Sequence, residues 1–492
     1  MIFFRSIIRT IPWIPFLGIL SLNAQVFDML VAQEDEGAYR TIQSAIDRIP
    51  DNSGERYLVF IKNGKYQEKV VLPSSKTNVS LIGESLEGVS IEWNDYEGKN
   101  GMSGADSYTF LAEAPDLYME NITIRNTTGS GSQAVAIRTT GERQVFNRCV
   151  FDGHQDTYYA HKNRQYNLNC LIRGNTDFIY GDATAVFDSC IVLCLTGGQY
   201  ITAPADTKLT SQLPEGGTFL QGLLFRLCSI TRESGVTDNS YYLGRPWQPD
   251  ASSVYINCML DSHIRPEGWS TWSSNNHLSS FFAEYNSMDM VGNPVDTNSR
   301  VDWSYQLSDE WVNNYYTLEY FLKKNDVIWD PVPVTMALAA PEDLTGELFN
   351  LSWTGVAEAI GYTIIRNDTT IGFSVSPDFT DATATHSIEN IYRVKSVSEN
   401  GNLSKASQAF YHAPLSIEPR VRNPDEFDLS IKDKHITFER YYNIKIYSLS
   451  GHLLLSRMHV SELSLNPYTR GIYILVAENN QGIIHIRHIY LE

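Results

Sequence analysis

Short apolar phrases alternate with polar turns up to about Leu322. The turns are rich in Gly, Asn and Asp, and no helical periodicity separates one phrase from the next. A parallel sheet without crossover helices must wind as a solenoid. We therefore predict an all-β fold with a parallel β-solenoid. Its strands are expected at the phrases Tyr57–Ile61, Val79–Ile82, Leu117–Ile124 and Ala134–Ile137, and at five phrases that begin with Cys.

One of these phrases occurs twice at a spacing that fits a single coil. Cys149-Val-Phe-Asp-Gly153 is followed by Asp156, and Cys170-Leu-Ile-Arg-Gly174 is followed by Asp177, 21 residues further along. Residues one coil apart lie at the strand spacing of roughly 4.8 Å. We expect Asp156 and Asp177 to be neighbours on one face. Two carboxyls that close acquire different pKa values, which suits an acid and a base.

Two amides extend this pattern by one coil. Gln133 precedes Gln155 by 22 residues, so we expect it to lie beneath Gln155 and Asp156. Amide groups can donate hydrogen bonds to a developing oxyanion, while carboxyls can act as nucleophile and proton donor. This set suffices for ester hydrolysis without a metal. The alternative for each residue is a structural role at a solenoid turn, but the matched spacing of all four favours chemistry.

A guanidinium and a large aromatic lie around a Pro-stiffened turn at Arg245-Pro-Trp247. Arg245 could orient and ionise an Asp through a bidentate bond, and Trp247 could stack on a sugar ring. An ordinary packed turn is the alternative. Nothing in the spacing places this turn beside Asp177.

All six Cys lie between residues 149 and 258, and five of them begin similar apolar phrases. In an exported protein six Cys commonly indicate disulfides. The near-constant step between the first three, however, fits a ladder of small side chains that face the interior of successive coils. We predict buried thiols, with disulfides as the alternative.

Other segments surround the solenoid domain, which we place at 25–330. Residues 1–24 have a basic start, a short apolar core and a small residue at a plausible cut site, which predicts a signal peptide. Tyr39–Pro50 has apolar residues at helical spacing and predicts a helix that covers the first coil. After Asp330-Pro-Val-Pro, strand patterns predict a small β-sandwich at 331–415 and a further β-domain at 416–492.

The net charge of the chain restricts the classes of partner that it can bind. The formal net charge is −19, which argues against nucleic acid because a phosphate backbone requires a basic surface. No later apolar run is long enough to span a bilayer. We expect a monomer without cofactor or metal that is secreted or held at the cell surface.

Five ordered motifs resemble the pectin methylesterase family of carbohydrate esterases, over roughly residues 30 to 325. They are Gly131–Arg138, Gln155-Asp-Thr157, Gly174–Gly181, Leu243-Gly-Arg-Pro-Trp247 and Gly268-Trp269. The resemblance implies a right-handed parallel β-helix that hydrolyses methyl esters of homogalacturonan, the backbone of pectin. It implies Asp177 as nucleophile, Asp156 as general acid and then base, Gln133 and Gln155 as oxyanion donors, and Arg245 as the cation that keeps Asp177 ionised.

The same resemblance implies a sugar groove lined by Trp247 and substrate contacts from Thr109, Tyr159 and Tyr180. Tyr180 stands where the family usually has Phe, and Ile201–Asp206 replaces the plant-type Ala-Gln-Gly-Arg phrase. These departures leave open the preferred methylation pattern and the exact ester.

Beyond the solenoid, residues 331–415 resemble a fibronectin type III module, with Trp353, Tyr362 and Tyr392 at core places. Residues 416–492 resemble the C-terminal sorting domain of the type IX secretion pathway, which implies secretion machinery as a partner.

Two other functions remain as alternatives. A pectin-cleaving glycosidase on the same fold would need further acidic pairs and a Gly-His-Gly phrase, and it gives the two Gln no role. A non-catalytic pectin-binding solenoid is the second, because a fold alone does not fix function. A calcium-dependent lyase is not favoured, since the sequence shows neither the cluster of acidic ligands nor the basic proton abstractor that it needs.

Overall fold

The computed structural model of the protein describes residues 26–213, 218–347, 349–385, 388–412, 429–432, 434–448, 453–466, 468, 471–479 and 484–491. The predicted signal peptide, residues 1–24, lies outside these residues. The chain divides into two compact units, Met1–Pro414 and Leu415–Glu492.

Within the described residues, the first unit is built on a right-handed parallel β-helix of three sheets, as predicted. An eleven-stranded sheet comprises Met29–Val31, Tyr57–Ile61, Val79–Gly83, Tyr118–Glu120, Gln144–Asn147, Arg164–Leu168, Thr184–Asp188, Leu223–Arg226, Ser252–Ile256, Phe281–Tyr285 and Tyr305–Gln306. An eight-stranded sheet comprises Gly64–Tyr66, Val89–Trp93, Thr123–Asn126, Val150–Asp152, Leu171–Gly174, Ile191–Cys194, Ser229–Arg232 and Met259–Leu260. A seven-stranded sheet comprises Val70–Leu72, Phe110–Ala112, Ile137–Thr139, Tyr158–Ala160, Thr176–Gly181, Tyr200–Pro204 and Tyr242–Gly244.

Like side chains stack on one another through the interior of the β-helix. The rings of Phe187, Phe225 and Tyr255 lie on adjacent strands, with centroid separations of 4.7 and 4.5 Å that match the strand spacing. The Cys side chains form the predicted ladder: the backbone N–H of Cys149 lies 3.4 Å from Sγ of Cys170, and that of Cys170 lies 3.4 Å from Sγ of Cys190. All six Cys are buried free thiols, which confirms the prediction over the disulfide alternative.

A helix covers the first coil, but it is shorter than its sequence pattern. Only Ile42–Ile46 is helical, with Thr41 as N-cap accepting from the Ser44 N–H at 3.1 Å. The Gln43 amide accepts from the N–H of Val71 at 2.8 Å and donates to its carbonyl at 3.1 Å. Val71 lies in the terminal strand of the seven-stranded sheet, so the helix satisfies backbone groups on an open edge.

Short elements complete the β-helix. Helices span Asp309–Tyr315, Leu318–Phe321 and Val332–Thr335, 3₁₀ turns span Lys99–Gly101, Gly104–Asp106 and Asn276–Leu278, and an antiparallel hairpin pairs Thr210–Gln212 with Thr218–Leu220. Tyr315, Tyr316 and Phe321 pack together with Phe219 in an apolar cluster that includes outward side chains of the eleven-stranded sheet, such as Val186. These aromatics shield that face of the sheet from water.

A small antiparallel β-sandwich belongs to the same compact unit. One sheet comprises Glu342–Glu347, Asn350–Thr354 and Asp378–Thr380, and the other Thr369–Ser374, Gly361–Arg366, Asn390–Val397 and Phe410–His412. Its core holds Trp353 against Tyr362, with ring centroids 5.1 Å apart. The Thr370 N–H donates to the Glu84 carboxylate at 2.6 Å, and the Asn402 amide donates to the Tyr118 hydroxyl at 2.6 Å, so buried polar groups join the sandwich to the β-helix.

The second unit, Leu415–Glu492, is a separate antiparallel sheet in its described part. Its strands are Leu429–Lys432, His435–Ser448, Leu453–Ser464, Gly471–Glu478 and Ile484–Leu491. Ile436, Ile444 and Leu475 are fully buried in its core. Across the described residues of the whole chain, no helix combines the length and the apolar character needed to cross a membrane.

Candidate active site

Asp156 and Asp177 occupy equivalent positions in consecutive coils. Gln133 pairs with Gln155, and Gln155 pairs with Thr176, as isolated parallel bridges one coil apart. The Asp156 N–H donates to the Thr176 carbonyl at 3.1 Å. The prediction that the two carboxyls lie on adjacent coils, with Gln133 one coil below, is therefore confirmed.

Both aspartates have left-handed backbone conformations. Asp156 has φ 66° and Asp177 has φ 49°, a region that Asp tolerates better than most residues. At Asp177 the pairing with Tyr200–Pro204 also shifts register between Thr176 and Ile179, which marks a β-bulge. Bulges redirect side chains where a sheet carries a site. The two carboxyls consequently leave the interior of the β-helix and face a surface pocket.

This pocket has a volume of about 250 Å³. It is lined by Glu97, Gly104, Ala105, Gln133, Asp156, Tyr159, Asp177, Tyr180, Ala203, Trp247 and Trp272. Most of the residues predicted for the site therefore share one cavity. Gln155 is partly exposed on the coil between Gln133 and Thr176, although it is not among the lining residues.

Arg245 binds the Asp177 carboxylate with a bidentate pair of hydrogen bonds. Its Nε donates to Oδ1 at 2.9 Å and its Nη2 donates to Oδ2 at 2.6 Å. The strand before Arg245 is two strands away from that of Asp177, and the side chain crosses the ring of Tyr200 on the strand between them. The guanidinium carbon lies 3.8 Å from the Tyr200 ring centroid and 4.0 Å from that of Trp272, so cation–π contacts hold the planar group on both faces.

The two carboxyls have different electrostatic environments. Asp156 is 8% exposed, and burial raises its pKa well above the usual value, with the negative charges of Asp177 and Glu97 adding to the rise. Burial also raises the pKa of Asp177, but the two hydrogen bonds and the charge of Arg245 oppose that rise. The pair therefore favours a protonated Asp156 beside an ionised Asp177.

The side-chain amides of Gln133 and Gln155 have no hydrogen-bond partner among the described residues. Each amide NH₂ carries two donors. Gln133 also lines the pocket with both aspartates. These amides are consequently available to an oxygen atom of a bound molecule.

Aromatic rings form one side of the pocket. Tyr159 and Tyr180 stack with their centroids 4.4 Å apart, and Trp247 meets Tyr180 edge-on at 5.9 Å. The pattern of planar faces beside polar groups is typical of sites that bind sugar rings.

Thr109 does not reach this pocket. Its side chain is fully buried, and its hydroxyl donates to the Arg125 carbonyl at 3.0 Å. The hydroxyl of Thr109 is thus held in the interior by a backbone carbonyl, and a contact between Thr109 and a substrate stays a prediction.

Three residues of the site were not predicted from the sequence. Trp272 lies three positions after the Gly268-Trp269 motif, a spacing that could have indicated it. Tyr200 pairs with Thr176 one coil further on, but the bulge hides that register in the sequence. Glu97 follows no motif, and only the fold brings it to the pocket.

Together these groups can carry out acyl transfer. A carboxylate can attack as a nucleophile, and a carboxylic acid can transfer a proton. Two free amides can donate hydrogen bonds that stabilise an oxyanion. In the part of the chain that the structure describes, no group of three or more His, Cys, Asp or Glu side chains could hold a metal ion.

Comparisons with known proteins agree with this assignment. The Pectinesterase family model matches residues 28–325. The pectinesterase/pectinesterase inhibitor PPE8B of Prunus persica is 33% identical over 322 residues, covering 64% of this chain and 60% of that protein. Pectinesterase 4 of Arabidopsis thaliana is 32% identical over 322 residues, covering 63% of this chain and 53% of that protein. The chain thus spans between half and two thirds of the length of these relatives.

Solved structures give the same result. Pectin methylesterase from carrot superposes with a TM-score of 0.55 at 28% identity, covering 60% of this chain and 93% of that one. Pectin methylesterase PemA from Erwinia chrysanthemi superposes with a TM-score of 0.51 at 27% identity, covering 62% and 98%. A pectin methylesterase in complex with a hexasaccharide matches equally well, with a TM-score of 0.51 at 27% identity. Because the family model covers more than half of the sequence, this chain belongs to the pectinesterase family.

Proposed function

We propose that the protein hydrolyses methyl esters of homogalacturonan, releasing methanol and leaving pectate. The observation that carries this proposal is the Asp177 carboxylate, held bidentate by Arg245 beside the buried carboxyl of Asp156. Family membership and the aromatic wall of the pocket support a polyuronate ester as the substrate.

In the first half of the reaction, Asp177 attacks the carbonyl carbon of the methyl ester. The carbonyl oxygen becomes an oxyanion that accepts hydrogen bonds from the amides of Gln133 and Gln155. The intermediate collapses as the bond to the methoxy oxygen breaks. Asp156 gives its proton to that oxygen, so methanol leaves and the uronate remains as an anhydride on Asp177.

In the second half, Asp156 is a carboxylate and acts as base. It takes a proton from a water molecule, whose oxygen adds to the same carbonyl carbon. The bond to Asp177 then breaks, which releases the uronic acid and restores the ionised nucleophile. Arg245 stabilises the Asp177 carboxylate at the start and the end of this cycle.

Trp247, Tyr159 and Tyr180 serve as the sugar-binding surface in this proposal. Stacking on their planar faces suits the apolar faces of pyranose rings. A solved pectin methylesterase of similar fold has been captured with a hexasaccharide, which supports an extended groove for a polymer. We propose a monomer without cofactor for this reaction.

A pectin-cleaving glycosidase is the strongest rival enzyme, and a simultaneous assay separates the two activities. The protein is incubated with highly methylated pectin while methanol and new reducing ends are both measured. We expect methanol without new reducing ends. New reducing ends in proportion to protein, or an absence of methanol, would overturn the esterase proposal.

The segments before and after the β-helix have proposed roles in export and in domain structure. We propose that residues 1–24 are a signal peptide, that residues 331–415 form a fibronectin type III-like module, and that residues 416–492 are a sorting domain for type IX secretion. The protein would then be exported to the medium or the cell surface. Removing 416–492 should leave the protein in the periplasm of a host that carries this pathway, as cell fractionation would reveal; unchanged export would contradict the sorting role.

A further inference from the structure

The segment 94–107 forms a wall of the pocket that the mechanism above does not use. Its residues Glu97, Gly104 and Ala105 line the cavity together with Gln133 and Asp156, and Gly104 lies beside the Gln133 amide. The segment follows the strand Val89–Trp93 and contains two 3₁₀ turns, Lys99–Gly101 and Gly104–Asp106. It therefore places a carboxylate, that of Glu97, at the edge of the reacting groups.

Several contacts fix this wall in position. Asp95 accepts from Lys69 at 2.8 Å and pairs with Lys99 at 2.9 Å. Arg138 pairs with Asp106 at 3.3 Å. The backbone N–H of Glu97 donates to the Gln133 carbonyl at 2.9 Å, which ties the wall to the coil that carries an oxyanion donor. The Glu97 side chain is thus held near the pocket by its backbone.

The charge of Glu97 is not neutralised by the described residues. The side chain is exposed and has no ion pair or hydrogen bond among them, whereas Asp95 and Asp106 on the same segment are paired. Three of the described lining residues are acidic, and none is Lys or Arg. Arg245, which reaches the pocket through Asp177, is already bound to that carboxylate. Arg138 lies over the ring of Tyr159 and is paired with Asp106. Neither of these described cations at the pocket is therefore unpaired.

We propose that Glu97 is a specificity-determining residue that selects esterified uronates and disfavours free uronates in the groove. This inference rests on the function proposed above. A methyl-esterified uronate is neutral and meets no repulsion from Glu97, whereas a free uronate brings a second negative charge into a partly desolvated pocket. The acid product is repelled for the same reason.

Repulsion by Glu97 should also affect the pattern of de-esterification along the polymer. A sugar that has just lost its methyl group becomes an anion beside Glu97, so the product dissociates in preference to sliding by one residue. The enzyme then acts on isolated esters within methylated regions and does not produce long de-esterified blocks.

Binding of fully de-esterified hexagalacturonate tests this inference without any catalytic step. Its dissociation constant is measured by tryptophan fluorescence, since Trp247 and Trp272 line the pocket, for wild type, Glu97→Gln and Glu97→Lys. We expect Glu97→Gln to bind about three- to tenfold more tightly than wild type at about 0.02 M salt, and Glu97→Lys to bind more tightly still. At about 0.5 M salt the differences should shrink, because exposed charges are screened.

Glu36→Gln is the matched control, because it removes an equal charge from an exposed site that does not line the pocket. It should bind hexagalacturonate as wild type does. Equal affinity of wild type and Glu97→Gln, or a difference insensitive to salt, overturns the role of Glu97. The methanol assay on wild type decides the esterase proposal separately, since the binding measurement requires no turnover.

Discussion

The guanidinium of Arg245 meets the carboxylate of Asp177 edge to edge, with two hydrogen bonds of 2.9 and 2.6 Å between residues 68 positions apart in the chain. Because Tyr200 and Trp272 cover both faces of the guanidinium, the Arg245 side chain has little rotational freedom. The carboxylate is therefore held in a single orientation. The pair also opposes the rise in the pKa of Asp177 that burial causes.

Replacing Arg245 with Gln should move the acid limb of the pH–rate profile to higher pH. In the proposed mechanism the nucleophile is the ionised Asp177, so activity should rise with pH through the pKa of that carboxyl. Without the cation, nothing from Arg245 opposes the rise in this pKa that burial causes, so the acid limb moves to higher pH. Values of kcat/KM between pH 3 and pH 9 would measure the change.

Arg143→Gln provides the control for this experiment. Arg143 forms a comparable bidentate pair with Asp116, at 2.7 Å for both bonds, but neither residue lines the pocket. The pH–rate profile of Arg143→Gln should match that of wild type. An acid limb that stays in place in Arg245→Gln would contradict the role of Arg245 in ionising Asp177.

Asp177→Ala should remove ester hydrolysis while the fold persists. The variant loses the proposed nucleophile, so methanol release should fall by about a thousandfold or more. Asp177 faces a surface pocket and not the interior of the β-helix, so the far-ultraviolet circular dichroism spectrum should be unchanged. A folded variant that releases methanol at the wild-type rate would refute the nucleophile assignment.

Gln133→Met should lower kcat with little change in KM. The substitution keeps the length of the side chain but removes both amide donors, and loss of one oxyanion donor costs about 10²–10³-fold in kcat. Steady-state kinetics on highly methylated pectin would separate the two constants. A rise in KM at constant kcat would instead indicate that Gln133 only binds the ground state.

The regular coil length explains which parts of the site were predictable. Gln133, Gln155, Asp156 and Asp177 lie on coils of nearly constant length, so sequence spacing correctly predicted their adjacency. Arg245 lies beyond a longer coil that contains the hairpin of Thr210–Gln212 and Thr218–Leu220. An insertion of this kind breaks the spacing, so the contact between Arg245 and Asp177 could not be derived from the repeat.

Side-chain direction was less predictable than strand position. The apolar phrases correctly located most strands and the inward Cys ladder, because burial imposes alternation on each strand. Thr109 shows the limit: the resemblance places it at the substrate, but its hydroxyl bonds to a carbonyl in the interior. Glu97 was missed because it lies on an irregular segment, where no periodicity reports the direction of a side chain.

The Cys ladder predicts that the protein folds without disulfides. All six thiols should react with a thiol reagent in denaturant without prior reduction, and few should react in the native state because each Cys is buried. The melting temperature should be the same with and without a reducing agent. Fewer than six thiols in denaturant, or a melting temperature lowered by the reductant, would contradict the ladder of free thiols.

Asp156 should make the fold less stable as the pH rises. Its pKa is raised in the folded state, chiefly by burial and further by the charges of Asp177 and Glu97. The folded protein therefore binds more protons than the unfolded chain, so the free energy of unfolding falls from about pH 4 through the folded pKa.

Asp156→Asn should remove this loss of stability at higher pH, because its amide does not ionise. We expect its melting temperature to exceed that of wild type by a few degrees at pH 8, and the difference to vanish below about pH 4. Thermal melts across this pH range would measure it, and a difference that does not depend on pH would show that Asp156 is not buried as an acid. Because Asp156 is the general acid of the proposed mechanism, methanol release should be lost in the same variant.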